Sequence, residues 1–408
     1  MAVAYLSSLY PAISHTFILR EVRALRELGA RVESISVRPA DEADLLSRAD
    51  RDEASTTATI LPAGPGRVIA AHGAALLRSP ARYLHTLREA LRMARPGWRG
   101  RLWQLFYFAE AGLAAQICRR RGVRHVHAHF ANVGADVALL VTRLGGQGWS
   151  WSFTMHGPTE FSEVDGHKLA EKTADARFVA CISDYCRSQL MRLIPPEEWD
   201  KLDIVHCGID PRQYDWIDRA DRHGPLRVLC VGRLVPEKGQ ALLVDAVADL
   251  AARGIDVELD LVGDGQDRAA LAEAARRRGV EDRVTLAGAV GQDDIRAHYR
   301  DADVFCLPSF AEGVPVVLME AMATGLPVVT TAVMGIPELV EDGVSGHLLR
   351  PGRVDLLADA LADLAADPER RAEMGRAGRA RVLDEFTVAG NAARLAESFA
   401  RLPAARER

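Results

Sequence analysis

Short apolar runs alternate with longer stretches of helical periodicity along almost the whole chain. They fall at residues 3–6, 32–37, 125–129, 150–155 and 178–181, and again at 227–231, 257–262, 284–286, 304–307 and 328–330. Strand followed by helix, repeated in this way, predicts parallel sheets. A chain of 408 residues also exceeds what one hydrophobic core ordinarily holds. The polar, proline-bounded segment from Asp210 to Pro225 lies between the two series of runs, where a linker belongs. The expected fold class is α/β, with two Rossmann-like domains at residues 1–207 and 226–387 and a linker at 208–225. Residues from 354 to about 402 read as consecutive helices, broken at Asp367-Pro368 and Phe386-Thr387.

About half of the residues are apolar and a quarter charged, as in globular proteins, and a formal charge of −5 is mild for this length. A dedicated nucleic-acid binder would carry a clearly basic domain or stripe, so that class is disfavoured. The six cysteines are scattered, without the paired spacing of a metal site, and read as structural thiols in a reducing compartment. The first residues, Met-Ala-Val-Ala-Tyr-Leu, lack the basic flank and long apolar core of a signal peptide. No stretch reaches the roughly 18 apolar residues of a membrane span. The expected location is cytoplasmic, at most peripheral on the inner face of a membrane. Residues 82–101 hold six arginines against one acid, and Trp98, Trp103, Phe106, Tyr107 and Phe108 stand in or just beyond them. The segment 82–108 therefore has two readings: a helix pair with its aromatic side in the core, or a surface for anionic lipid or a lipid-linked substrate.

The chemistry concentrates at residues 310–329, where Glu312 and Glu320 stand eight residues apart around Gly313, Val314, Pro315, Val316 and Val317. The run 304–307 before them reads as a buried strand, and Pro315 suits the first position of a helix. A helix opening there offers backbone N–H groups and a positive dipole end to an anion, and the flanking carboxylates accept hydrogen bonds from hydroxyls. That combination suits a phosphate with a sugar at each end, which describes a nucleotide-sugar.

A second constellation follows the first strand of the second series. Gly232 lets the backbone turn at the carboxyl end of that strand, where open α/β sheets bind ligands. Arg233 and Lys238, five residues apart, deliver a planar fork and a point charge suited to a diphosphate. Gly263-Asp264-Gly265 fails the dinucleotide fingerprint because position 268 is arginine, and reads as a tight turn beside the nucleotide. Gly288 and Ala289 end a strand with small residues that let backbone approach a flat base. Asp301-Ala302-Asp303 has the Asp-x-Asp pattern of a metal-holding transferase, but it precedes a buried run, so capping of the strand start is favoured. In the first series, His127 and His129 would share one strand face, and His156, before Gly157, would end the next strand with Glu160 close behind. The loop before Phe17 offers Ser14 or Thr16 as helix caps beside His15.

These residues resemble the GT-B retaining glycosyltransferases of family 4. The likeness rests on the paired glutamates with their Gly-x-Pro context, on Gly-Arg-Leu-x-x-x-Lys-Gly at 232–239 and on Gly-Ile-Asp at 208–210. The opening Tyr10-Pro-x-x-Ser-x-Thr-Phe-Ile is similar to a subgroup that builds exopolysaccharides, colanic-acid-type transferases among them. The resemblance implies two domains facing across a crevice, with a C-terminal helix at 388–408 crossing back to the first. It implies that Arg233 and Lys238 hold the donor diphosphate and Glu320 the ribose hydroxyls. Glu312 and His156 then serve the donor sugar at the reacting carbon. The loop from Gly313 to Val317 supplies N–H groups to sugar and phosphate, and His129, Ser14, His15 and Thr16 lie toward the acceptor.

The implied activity is metal-independent transfer of a hexose from a nucleoside diphosphate sugar to an acceptor hydroxyl with retained configuration, without a cofactor. UDP-sugars are the first expectation and GDP-mannose the second; the acceptor is a saccharide, a lipid-linked glycan or a natural product such as an aminocyclitol antibiotic. The chain departs from the pattern in the first loop, which has no Gly-Gly pair, in His15 where the subgroup commonly has an acid, and in Cys207 where asparagine is common. A sugar-nucleotide epimerase, a non-catalytic sugar-nucleotide binder and a nicotinamide-dependent oxidoreductase are the rival readings, the last weakened by the failed fingerprint at 263–268.

Overall fold

The computed structural model describes residues 1–12, 15–42, 45–219, 222 and 224–402. The chain divides into two compact units, residues 1–205 with 392–408 and residues 206–391. The segment 208–225 thus groups with the second unit, and the end of the C-terminal helix with the first.

The first unit is built on strands β1 (Ala2–Leu9), β2 (Arg31–Arg38), β3 (Ala58–Thr59), β4 (His125–His129), β5 (Ser150–Met155), β6 (Val179–Cys181) and β7 (Leu202–Ile204). They pair in the order β3-β2-β1-β4-β5-β6-β7, every pair parallel. A parallel sheet covered on both faces buries its strands on both sides, as the all-buried β4 and nearly all-buried β5 show. The helix Thr16–Glu27 lies on one face and buries Ile18, Leu19, Val22 and Leu25, the spacing of one helical stripe. Its cap position is held by His15, which makes no side-chain cap bond, so the expected cap from Thr16 is not formed and Ser14 lies outside the described residues.

Three helices, Pro65–Arg78, Pro80–Met93 and Trp98–Arg120, are tied together by the rings of His72, Tyr83 and Phe108, whose centroids lie 5.1–5.8 Å apart. Their buried residues are mostly small, such as Ala71, Ala75 and Ala90. The aromatic residues of the third helix divide: Trp98 is 72% exposed and Trp103 and Phe106 about half, whereas Phe108 is buried in the core and Tyr107 packs against it. Residues 392–402 also belong to this unit, where Phe399 sits against His125, His127 and Phe178 and Ser398 Oγ donates to Asp203 at 2.7 Å.

The second unit repeats the plan with β8 (Leu226–Val231), β9 (Val257–Val262), β10 (Val284–Gly288), β11 (Val304–Leu307), β12 (Val328–Thr331) and β13 (Gly346–Leu349), paired in parallel in the order β10-β9-β8-β11-β12-β13. In each sheet the order reverses beside the first strand, between β1 and β4 and between β8 and β11. Such a reversal opens a crevice at the carboxyl ends of the strands, which is where doubly wound sheets take their ligands. Asp303, at the start of β11, is buried and its Oδ2 accepts from the backbone N–H of Arg227 at 3.0 Å. The Asp-x-Asp pattern is therefore structural.

Candidate functional site

At the reversal in the second unit, the loop after β8 carries Gly232, Arg233 and Lys238, and the loop after β11 carries Ser309 and Glu312. Lys238 Nζ donates to Glu312 Oε1 at 2.5 Å, and Ser309 Oγ donates to the same oxygen at 2.7 Å. Glu312 is buried and Lys238 half-buried, so the pair sits in a partly desolvated groove where charge acts more strongly than in water. Close backbone packing brings the two loops together. Gly239 has φ +68° and a side-chain carbon there would fall 2.3 Å from Pro308 O. Phe310 N–H also donates to Glu237 O at 2.8 Å. Arg233 is exposed, and no partner for its guanidinium is present among the described residues. Its backbone oxygen accepts from Gln240 Nε2 at 2.9 Å.

The neighbouring loops close the floor. Gly232 N–H donates to Val262 O and Gly263 N–H to Gly288 O, at 2.9 and 2.8 Å. Gly263 has φ +142°, and a side-chain carbon on it would meet Gly232 O at 1.9 Å, so this contact admits only glycine. Gly288 and the exposed Ala289 follow at the end of β10. The expected nucleotide residues Gly232, Gly263, Gly288 and Ala289 are thus brought to one end of one sheet.

Glu320 lies on the helix Val316–Ala323, with Pro315 immediately before its first residue rather than within it. Its carboxylate is buried between two phenols: Tyr214 Oη donates to Oε1 at 2.8 Å and Tyr299 Oη to Oε2 at 2.9 Å. Neither tyrosine is signalled by motif spacing, since they stand far from Glu320 in sequence. Gly313 to Val317 form the turn into this helix, and Gly335 packs so tightly on it that a side-chain carbon there would fall 2.6 Å from Gly313 O.

In the first unit, β4 and β5 bring four histidines into one buried array. His125 lies between the hydroxyls of Ser150 and Ser152, and His127 between those of Ser152 and Thr154, at 2.8–2.9 Å. His129 Nδ1 is 3.0 Å from His156 Nε2, and His129 Nε2 is 3.1 Å from Glu21 Oε1, which also accepts from Tyr5 Oη at 2.7 Å. Burial pushes His156 well below its ordinary 6.5, and the imidazoles of His129 and His15 add to the depression. Burial alone lowers His125 to about 3. His125 and His156 are therefore neutral at pH 7. His15 lies against Phe130, its Nδ1 3.1 Å from Leu9 O, and Phe17 packs on His156. Glu160 Oε1 accepts from Ala131 N–H at 3.2 Å, which ties the loop after β5 to the loop after β4. Glu21 and Tyr5 were not singled out by the sequence; they reach the histidines only through the packing of the first helix and β1. Glu21, His127 and His129 offer three atoms within 4.8 Å of one another, the one such cluster among the described residues. All six cysteines are free, five of them buried, as expected of structural thiols.

Two doubly wound parallel sheets, one with paired glutamates and a lysine at its strand-order reversal, define a GT-B architecture. The chain belongs to the group 1 glycosyl transferases, whose family model matches residues 217–381. The alpha-D-kanosaminyltransferase of Streptomyces kanamyceticus is 31% identical over 280 residues, covering 63% of this chain and 72% of that protein. The amylovoran biosynthesis glycosyltransferase AmsK of Erwinia amylovora is 37% identical over 209 residues, 50% of this chain and 51% of AmsK. A GDP-mannose-dependent phosphatidylinositol monomannoside mannosyltransferase of Mycolicibacterium smegmatis is 36% identical over 239 residues, 55% of this chain and 62% of the relative. The chain therefore spans less than two-thirds of the length of these last two. Among solved structures, sucrose-phosphate synthase of Thermosynechococcus elongatus superposes with a TM-score of 0.76 at 20% identity, over 98% of this chain and 99% of that one. Anabaena HepE, solved with UDP and glucose, gives 0.72 at 20% identity, over 98% and 100%. Among the described residues no helix is long and apolar enough to cross a membrane.

Proposed function

We propose that this chain is a retaining glycosyltransferase that moves a hexose from a nucleoside diphosphate sugar to an acceptor hydroxyl, without a metal. The single observation that carries the reading is the Lys238–Glu312 contact at the strand-order reversal, beside the unengaged Arg233. Two cations there match a diphosphate, and a buried carboxylate beside them matches sugar hydroxyls. In this reading the diphosphate displaces Glu312 from Lys238, so that the carboxylate turns to the sugar as the ammonium turns to phosphate. Glu320, aligned by its two tyrosines, takes the ribose hydroxyls. Gly232 and Gly263, held together by a contact that only glycine at 263 permits, lie beside the nucleotide, with Gly288 and Ala289 toward the base. The turn from Gly313 to Val317 gives N–H groups to the phosphate. His156 serves the donor sugar, and His129, His15 and Thr16 the acceptor side. Catalysis is then mainly positioning and charge stabilisation.

The donor is a UDP-hexose or GDP-mannose; the acceptor belongs to exopolysaccharide, lipid-linked glycan or natural-product synthesis. The names of the similar proteins support these classes. A lipid-linked acceptor also agrees with the exposed Trp98, Trp103 and Phe106 among the arginines of residues 82–108, which we assign to contact with an anionic membrane surface.

The test is a donor screen with purified protein in the presence of a chelator, with and without saccharide acceptors. Acceptor-dependent release of nucleoside diphosphate, with the product's anomeric signal matching the donor, is expected. Interconversion of the sugar nucleotide without an acceptor would identify an epimerase, and tight binding without turnover a non-catalytic binder. Loss of transfer in chelator, restored by a divalent cation, would overturn metal independence.

A further inference from the structure

Arg219, in the second unit, is 1% exposed, and among the described residues all of its hydrogen bonds run to backbone carbonyls. Nε donates to Ala302 O and Nη2 to Tyr299 O, both at 2.8 Å, while Nη1 donates to Thr324 O at 2.8 Å and to Ile217 O at 3.0 Å. Ala302 caps the carboxyl end of the helix Ile295–Asp301, and Thr324 that of the helix Val316–Ala323. The last carbonyls of a helix have no partner within it and carry the negative end of its dipole. One guanidinium therefore serves two helix ends at once, through a planar fork that a lysine's single nitrogen does not reproduce. Burial lowers Arg219 to about 10, so the cation is kept at neutral pH.

The helices joined in this way are the ones that carry Tyr299 and Glu320, and the phenol of the first donates to the carboxylate of the second at 2.9 Å. The segment that supplies Arg219 also supplies the other phenol, that of Tyr214. Three contacts hold this segment to the end of the Glu320 helix. Ile217 N–H donates to Thr324 O at 3.4 Å, and Trp216 packs so closely that a side-chain carbon on Gly325 would fall 2.4 Å from its ring. Arg379 Nη1 spans the two, donating to Tyr214 O at 2.9 Å and to Ala323 O. Each phenol that donates to Glu320 thus has its own carbonyl held by an arginine.

We infer that Arg219 and Arg379 are positioning residues for nucleotide binding: they hold the backbones of Tyr299 and Tyr214 and so set where the two phenols place the Glu320 carboxylate. A purely structural role would lower stability and leave the ligand affinity of the folded protein as it was. The nucleotide part of the inference rests on the proposed function; the placement of the phenols does not.

The two parts are tested separately with the full chain. Carbon spectra of protein labelled at tyrosine Cζ, the ring carbon that bears the hydroxyl, read the phenols directly, with Tyr214→Phe and Tyr299→Phe assigning the signals. Arg219→Lys is expected to move the Tyr299 signal and Arg379→Ala that of Tyr214, since each phenol loses the hold on its backbone. Titration with UDP and with GDP should show the preferred nucleotide bound about 10-fold more weakly by each variant, while kcat at saturating donor stays within about 3-fold of wild type. If Arg219→Lys does not fold, Arg379→Ala, at a half-buried position, tests the same inference. Unmoved Tyr214 and Tyr299 signals in the folded variants would overturn the placement of the phenols. Moved signals with wild-type affinity in both variants would overturn the nucleotide part. A wild-type protein that binds neither nucleotide would instead overturn the proposed function, whatever the tyrosine spectra show.

Discussion

Lys238 and Glu312 come from the ends of two adjacent parallel strands, β8 and β11, and meet as a 2.5 Å ion pair in which Ser309 Oγ shares the carboxylate oxygen. On the proposed function each is the other's placeholder: the phosphate-binding lysine and the sugar-binding glutamate would hold one another until a donor supplies both partners. Such a pair keeps a partly buried charge from standing alone, which would be far more destabilising than the pair itself.

Lys238→Ala and Glu312→Gln should therefore differ in kind. Lys238→Ala is expected to weaken donor use about 10-fold or more, or roughly 1.4 kcal/mol, mainly through KM. Glu312→Gln should act mainly on kcat and on the choice of donor sugar. Steady-state kinetics with two donors would check this, and wild-type constants in both variants would sink the assignment.

Glu320 holds the hydroxyls of Tyr214 and Tyr299 in a buried setting. Tyr299→Phe should lower unfolding stability by about 2 kcal/mol, because it removes a hydrogen bond to a charged, buried group. Glu320→Ala should weaken nucleoside diphosphate affinity about 10-fold or more. Titration calorimetry alongside denaturant unfolding separates the two effects; unaltered affinity in Glu320→Ala would remove it from the nucleotide site.

Burial raises Glu110, on the helix Trp98–Arg120, from its ordinary 4.5 to about 7, against the opposing pull of Arg38. Its Oε2 has no hydrogen-bond partner among the described residues. Well below pH 4.5 the carboxyl is protonated both folded and unfolded and weighs on neither state. As pH rises through 4.5 toward 7 the unfolded chain ionises first, so folding stability is lost across that window and stays lower above it. Glu110→Gln should raise stability by about 1–2 kcal/mol at pH 8, after allowance for solvent screening, and by much less at pH 5. Thermal melts at both pH values decide it; equal gains would count against the shift.

The exposed apolar residues concentrate between 69 and 106, among them Ile69, Leu77, Leu84, Trp98, Trp103 and Phe106, with Arg88, Arg92, Arg99 and Arg101 also exposed. Co-sedimentation with vesicles rich in phosphatidylglycerol should exceed that with phosphatidylcholine and fall with added salt. Trp98→Ala with Trp103→Ala should reduce it about 10-fold, since each aromatic ring loses its buried area. Equal binding by the variant, or no binding by the wild type, would leave this surface without a membrane role.

The sequence told more about sheets than about what lines them. Strands β4, β5, β9 and β11 end where the runs read from the sequence end. β3, β7 and β13 escaped notice, since an edge strand of two to four residues carries too little pattern to register. Arg233, Lys238, Glu312 and the glycines were legible as local motifs. Tyr214, Tyr299 and Glu21 were not, because their meaning lies in contacts made by tertiary packing. The aromatic helix start at Trp98 was ambiguous for a related reason: helical spacing says which side chains share a face, but not whether anything covers that face.

The first unit is assembled from both ends of the described chain, with Phe399 closing over His125 and His127, while the second unit is one uninterrupted stretch from 206 to 391. The two are therefore unequal as candidates for exchange. The second unit can be lifted out or swapped with two cuts, carrying the whole matched family region at 217–381 with it. The first unit cannot be taken as a single fragment without leaving Phe399 behind. On the proposed function, a change of donor can be inherited as a cassette, whereas a change of acceptor must accumulate in place.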